Sequence, residues 1–287
     1  MSRIAYVGGQ YVPHRTAAVH IEDRGYQFAD GVYEVLAVCG GRLVDEERHL
    51  ARLGRSLGEL RIAPPLADAA LRLVLREIVR RNRVGDGLVY IQVTRGTAPR
   101  EHAFPARAKA VLVVTARRRR PVDPGLAENG VAVITIPDLR WQRCDIKAVA
   151  LTANVLGKQA AREAGAYEAW LVDRDGWVTE GTSTNAWIVT AEGAVVTHPA
   201  DRAILNGVTR LAVLDILRGD GQIAIERPFT VAEAKQAREA FLTSTTNELL
   251  PVVRIDGDSI GNGAPGLLTR RLRELYRAHV ARAAAAQ

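Results

Sequence analysis

Apolar positions in this chain switch repeatedly between strand alternation and the three- and four-residue steps of helices, which outlines a mixed succession of elements. Residues 3–7 and 10–12, divided by Gly8-Gly9, predict a hairpin. The apolar centre 32–38, interrupted by Tyr33 and Glu34 and followed by Gly40-Gly41, predicts two paired strands within 22–44. Leu50, Leu53, Leu57 and Leu60 share one face of a helix over 46–60, whose acidic start suits the helix dipole. Pro64-Pro65 introduce a second helix over 66–82, with Leu71, Val74, Leu75, Ile78 and Val79 as its buried face. Strands over 88–94 and 110–115 enclose the loop 95–105.

The basic, Pro- and Gly-containing stretch RRRRPVDPG reads as a connector. It divides the chain into a domain over 1–118, a linker over 119–125 and a second domain over 126–287. In the second, strands are expected over 131–136 and 169–173, with a helix from Asn154 to Gly165 between them. Arg174-Asp175-Gly176 turns the chain into a return strand over 177–189. A helix starting near Thr209, a strand over 240–243 and an amphipathic helix over 266–283 complete the pattern, and the terminal AAAAQ is expected to fray.

A length of 287 residues accommodates two domains, and 47% apolar content supplies cores for both. The opening MSRIAYVGGQYVPHR lacks the apolar segment of a secretory leader, and no apolar run approaches the ~20 residues of a membrane helix, so a folded cytoplasmic protein without a membrane partner is expected. Cys39 and Cys144 form neither a CxxC pair nor a metal motif. A net charge of +7 and the arginines at 117–120 raise nucleic acid as a partner, but the basic residues are dispersed and only 5% of residues are aromatic. A basic linker on a soluble enzyme is the better reading, and anionic small substrates also suit that field.

Four of the 39 basic residues are lysines: Lys109, Lys147, Lys158 and Lys235. Lys109, Lys158 and Lys235 read as solvated amines. Lys147, in RWQRCDIKAVALTANVLGKQ, leads into a segment with little charge; desolvated there, it can attack a carbonyl and form a Schiff base. The residues alone leave open a structural lysine, or one paired with Asp145. Arg52, beside the leucine stripe, either reaches an anion or is solvated with its stem packed on the helix. Arg100 and His102, one residue apart in RGTAPREHAFP, either converge on one carboxylate or form an exposed basic loop. Glu180, within an apolar strand, needs a partner: an arginine, solvent at an edge, or a protonated ring nitrogen. Gly207 before a helix, and the hydroxyls Ser244, Thr245 and Thr246, are a phosphate cup or ordinary capping turns.

Taken together, these parts match what pyridoxal phosphate needs: an amine, an acid for the pyridine nitrogen and donors for the phosphate. EDRGYQFADGVYEV, VTRGTAPREHAFP, RWQRCDIKAVALTANVLGKQ, VTEGTSTN, ILNGVTR and LTSTTNE make the chain resemble, over nearly its whole length, the fold-type IV pyridoxal phosphate aminotransferases. Within that class it is most similar to the bacterial D-amino acid transaminases. The resemblance implies a two-domain α/β and α+β fold, a smaller N-terminal domain and a larger pseudo-barrel domain with the active site between them. It implies pyridoxal 5'-phosphate held by Lys147, Glu180 at the ring nitrogen, and the phosphate on Arg52 and on the turn of Gly207, Val208 and Thr209 with Thr245. Tyr33, Arg100 and His102 match the trap for the substrate carboxylate, part of it lent by a second subunit of a homodimer. The implied substrates are a D-amino acid such as D-alanine and a 2-oxo acid such as 2-oxoglutarate or pyruvate. Thr182 and Thr184 stand where serines are common and Ala29 where glycine is frequent, which touches side-chain preference and not the reaction. Branched-chain L-amino acid transaminases, (R)-amine transaminases and aminodeoxychorismate lyase share the scaffold, and the Arg100/His102 pattern argues against the branched-chain reading.

Overall fold

A computed structural model describes residues 3–119 and 123–285. It divides into two compact units, one of Met1–Arg120 with Ile146–Ala150 and Val280–Gln287, the other of Pro121–Asp145 with Leu151–His279. Arg120, Pro121 and Val122 of the expected linker, and the last two residues of the tail, lie outside the described residues.

The first unit is built from β1 (Ile4–Val7), β2 (Gln10–Pro13), α1 (Arg24–Phe28), β3 (Gly31–Cys39), β4 (Arg42–Leu43), α2 (Glu46–Glu59), α3 (Asp68–Asn82), β5 (Gly87–Thr94) and β6 (Val111–Arg118). Its six strands form one antiparallel sheet in the order β2-β1-β6-β5-β3-β4. Val32, Leu36 and Val38 alternate inward from β3 and pack with Leu50, Leu53 and Leu57 of α2 and Leu75 and Ile78 of α3. Full burial of each such side chain contributes about 1.5–3 kcal/mol, so the leucine stripe holds α2 on the sheet. α1, whose Asp23 side chain accepts from the Gly25 N–H, was not anticipated in 22–44.

Residues 126–287 do not form one contiguous body, because Ile146–Ala150 packs in the first unit. The physical reason is an open sheet edge. β4 covers β3 only at Val38 and Cys39, so the start of β3 needs other partners. Val32 bridges Ala148, the Tyr33 N–H donates to Lys147 O at 2.9 Å, and the Val149 N–H donates to Gly31 O at 3.0 Å.

The second unit contains α4 (Pro124–Glu128), β7 (Val131–Pro137), α5 (Thr152–Glu163), β8 (Glu168–Val172), β9 (Val178–Gly181), β10 (Asn185–Val189), β11 (Val195–Thr197) and α6 (Val208–Gly219). It continues through β12 (Ile225–Glu226), α7 (Val231–Gln236), β13 (Glu239–Ser244), β14 (Glu248–Ile255), β15 (Asp258–Ser259) and α8 (Leu267–Ala285). Its curled sheet runs β12-β11-β10-β13-β14-β7-β8-β9, with β15 on β14. Strands β7, β8 and β14 pair in parallel, while β13 is antiparallel to both β10 and β14.

The expected single strand over 177–189 is two strands. A turn closed by the Gly181 N–H donating to Thr184 O breaks it, and buried Glu168 takes the hydroxyls of Thr182 and Ser183. β9 therefore pairs β8, whereas β10 lies between β11 and β13. Asp123 caps α4, so the last residues of the expected linker begin a helix.

Candidate active site

Lys147 lies across from Tyr33 on the short pairing at the β3 edge. Val32 and Ala148 point into the helix-covered core, so Tyr33 and Lys147 share the opposite face. The Lys147 Nζ sits 4.3 Å from the Tyr33 ring centroid, and Tyr33 stacks on Tyr90 at 5.8 Å. The other lysines differ in setting. Lys158 donates to Tyr167 O and approaches Glu168 at 3.7 Å, while Lys235 pairs with Asp256 and Asp258. Both are more engaged than the solvated amines the sequence suggested. Asp145, the alternative partner for Lys147, pairs with Arg143 at 3.0 Å.

Glu34, one residue on, points under α2 and is fully buried. It accepts from Arg52 Nε and Nη2 at 2.7 and 2.9 Å and from His49 Nδ1 at 2.7 Å. Because a carboxylate only accepts, His49 carries its proton on Nδ1. Burial pushes the Glu34 carboxyl up, but the Arg52 guanidinium and the His49 hydrogen bond outweigh it and hold the pKa at about 2. Burial lowers the pKa of His49. The sequence assigned Arg52 but passed over Glu34 and His49; their signal was a charged residue at an inward position of β3 and an imidazole one helical turn before Arg52.

Arg100 and His102 are exposed and come together on one ring: Arg100 Cζ is 5.1 Å and the His102 ring 5.3 Å from the Phe28 centroid. Tyr33, the third residue of the expected carboxylate trap, stands with Lys147 and Tyr90.

In the second unit, Glu180 is the penultimate residue of β9 and collects three kinds of donor. Arg140 Nη1 pairs with Oε1, Asn185 Nδ2 donates to Oε2 at 3.0 Å, and the Leu205 N–H lies 3.1–3.2 Å from both oxygens. Arg140 also bonds Asp138 at 2.7 Å and Ala203 O at 3.1 Å. Burial lowers the Arg140 pKa and the Asp138 and Glu180 carboxylates raise it, with a net rise. Arg140 carries no signal of its own in the lysine stretch; only tertiary contact reveals its partner.

Asn185 links this carboxylate to the start of α6. Its amide donates to Leu205 O at 2.9 Å, and a Cβ on Gly207 would lie 2.1 Å from Asn185 Oδ1. Gly207 is the N-cap of α6 and makes no side-chain cap, so the first N–H groups of the helix, at Val208 and Thr209, present an anion-binding end. Asn185 pairs with Thr243 of β13, against which α6 packs, and β13 runs into the hydroxyl turn of Ser244, Thr245 and Thr246. Glu180, Gly207, Val208 and Thr209 thus lie together in this unit beside the strand leading to Thr245. Lys147, Tyr33, Arg52, Arg100 and His102 belong to the other unit. Among the described residues, no helix is long and apolar enough to cross a membrane.

Residues 31–255 match the family described as amino-transferase class IV. The chain is 45% identical over 265 residues to D-alanine aminotransferase of Bacillus licheniformis, covering 92% of each. It is 39% identical to the D-alanine aminotransferase of Staphylococcus haemolyticus, covering 96% of this chain and 97% of that protein. Among solved structures, it is similar to the T.th. branched-chain amino acid aminotransferase with pyridoxamine 5'-phosphate, at 25% identity, TM-score 0.90 and coverage of 98% and 95%. The Escherichia coli branched-chain amino acid aminotransferase shares the fold at TM-score 0.90 and 20% identity, with coverage of 98% and 95%. Since the family match spans β3, Lys147, Glu180, the α6 turn and β14 without a break, this chain belongs to the class IV aminotransferases.

Proposed function

We propose that this chain is a pyridoxal phosphate-dependent D-amino acid transaminase, moving the amino group of a D-amino acid such as D-alanine to a 2-oxo acid such as 2-oxoglutarate or pyruvate. The observation that carries the reading is the continuity from Glu180 through Asn185 to the uncapped start of α6. A carboxylate fed by three donors and an anion-binding helix end, joined by one amide, fit a ligand with a basic ring nitrogen and a phosphate. The relatives named D-alanine aminotransferase, at 39–45% identity, support the D-amino acid substrate. The branched-chain structures at 20–25% identity support the scaffold.

When bound, pyridoxal 5'-phosphate supplies a carbonyl carbon for amines and a ring that accepts electrons from the substrate Cα. Lys147 holds it through the side-chain amine. The Lys147 Nζ would act as general base toward the substrate α-proton. Tyr33 lies under that amine and limits where it can swing. Glu180 keeps the ring nitrogen protonated, and Arg140 with Asn185 keeps Glu180 aimed. Arg52, the N–H groups of Val208 and Thr209, and Thr245 hold the phosphate. Arg100 and His102, with Tyr33, receive the substrate carboxylate; with the α-proton fixed toward Lys147, the side on which the carboxylate is held selects the enantiomer.

The chain works as a cytoplasmic homodimer in this reading, and Ile21 and Tyr26, each 77% exposed, are apolar surface suited to a second copy. Pyruvate formation from D-alanine with 2-oxoglutarate and added cofactor, set against deamination of L-leucine, tests the function. D-alanine is expected to dominate, and a preference for L-leucine would overturn the assignment. Lys147→Ala is expected to abolish turnover and the colour of the bound cofactor; full activity in that variant would refute the role of Lys147.

A further inference from the structure

The loop bearing Arg100 and His102 has no regular secondary structure, yet two buried arginines are committed to it. We propose that Arg24, Asp30 and Arg95 form a buried clamp that positions Arg100 and His102 to receive the substrate carboxylate. The inference rests on the carboxylate-receiving role given to those two residues above.

Asp30 is the centre of the clamp. Its carboxylate accepts from Arg24 Nε at 2.8 Å and from Arg95 Nε and Nη2 at 2.7 and 3.0 Å. Arg24 and Arg95 are only 3% and 7% exposed. From this anchor Arg24 reaches the loop backbone, donating through Nη1 to Glu101 O and through Nη2 to His102 O at 3.3 Å. Arg95 holds the far side. Its guanidinium carbon lies 3.7 Å from the Phe104 ring centroid, and its Nη groups donate to Arg61 O at 3.0 Å and Leu60 O at 2.8 Å, tying the loop to the end of α2.

These contacts fix main-chain atoms at 101 and 102 and the ring at 104, so they set where Arg100 and His102 start whatever their side chains do. Arg24 Cζ is also 4.8 Å from the Phe28 ring, the platform on which Arg100 and His102 meet. Burying two cations on one anion is a costly way to tether a loop, since apolar packing does so with less desolvation. It has two consequences apolar packing lacks. The cluster keeps one net positive charge beside the loop, which attracts an anion. It also orders the loop before substrate arrives, so binding does not bear that entropy cost.

The test is steady-state kinetics of the holoenzyme with D-alanine for Arg24→Gln, Arg100→Ala and the double variant. Each single change is expected to raise KM about tenfold, with the loss falling on KM rather than kcat. The double variant is expected to fall clearly short of the product of the two single losses, because the part of the Arg24 effect that acts through Arg100 is already gone and only the part through His102 remains. Additive losses, or an Arg24→Gln loss that falls on kcat and cofactor retention, would overturn the clamp. If Arg100→Ala raises KM and Arg24→Gln does not, the clamp alone is refuted. If Arg100→Ala leaves KM unchanged, the carboxylate reading fails and the clamp with it. Should Arg24→Gln not fold, Arg24→Lys, which keeps the charge but not both carbonyl contacts, is read by the same criteria.

Discussion

Replacing Glu34 by Gln removes the anion from a fully buried cluster and leaves Arg52 without its bidentate partner. The pKa of Glu34 falls from 4.5 to about 2, set by burial against the stronger pull of Arg52 and His49. That difference corresponds to about 3 kcal/mol of native-state stability at neutral pH. Breaking a buried ion pair by removing one partner costs about 3–5 kcal/mol, so the two routes agree. Since the folded pKa is depressed, the contribution is complete above the unfolded value of 4.5 and is lost as pH falls toward about 2. Urea unfolding of wild type and Glu34→Gln, followed by circular dichroism from pH 7 to pH 3, is the assay. The gap between them should be about 3 kcal/mol at pH 7 and about half that at pH 3. A gap that stays constant across this range would show that Glu34 acts by packing and not by charge, and would refute the reasoning.

Arg140→Met leaves Asp138 and Glu180 without their shared cation and is expected to cost about 3–5 kcal/mol, measured by urea midpoint. Burial raises the Asp138 pKa, but hydrogen bonds and charge from Arg140 bring it below its ordinary value, so this deficit should shrink as pH falls below about 4. Gly207→Ala puts a methyl 2.1 Å from Asn185 Oδ1, although φ of −64° is open to any residue; the effect is therefore steric. A loss of about 1–3 kcal/mol is expected, with weaker cofactor retention in equilibrium dialysis. Unchanged stability and retention would place the α6 start away from any ligand.

The long helices were legible because each carries its own evidence, whereas the short α1, α4 and α7 have too few turns to show a repeat. The leucine stripe of α2 and the apolar face of α3 follow from the repeat of a single helix, and the structure changed their ends by two residues or fewer. Where the sequence suggested one strand over 177–189, the turn at 182–184 was hidden, because its hydroxyls serve Glu168, a residue whose contribution appears only once β8 is in place. β14 was missed for a related reason. ELLPVVRI has neither strand alternation nor helical period, and Pro251 argues against a central strand, yet it lies between β13 and β7.

The sequence by itself determined the parts: a rare lysine in a weakly charged stretch, a carboxylate in an apolar strand, an arginine and histidine one residue apart, and a glycine ahead of a helix. Residue identity fixes what a group can donate, accept or attack. Only the tertiary structure decided which groups meet, since Arg140 finds Glu180 forty residues away and Arg24 finds Glu101 seventy-seven residues away. Strand pairing and buried ion pairs join segments whose separation leaves no local pattern. The same applies to Lys147: its chemistry was readable in the chain, while its place beside Tyr33 came from the unpaired edge of β3.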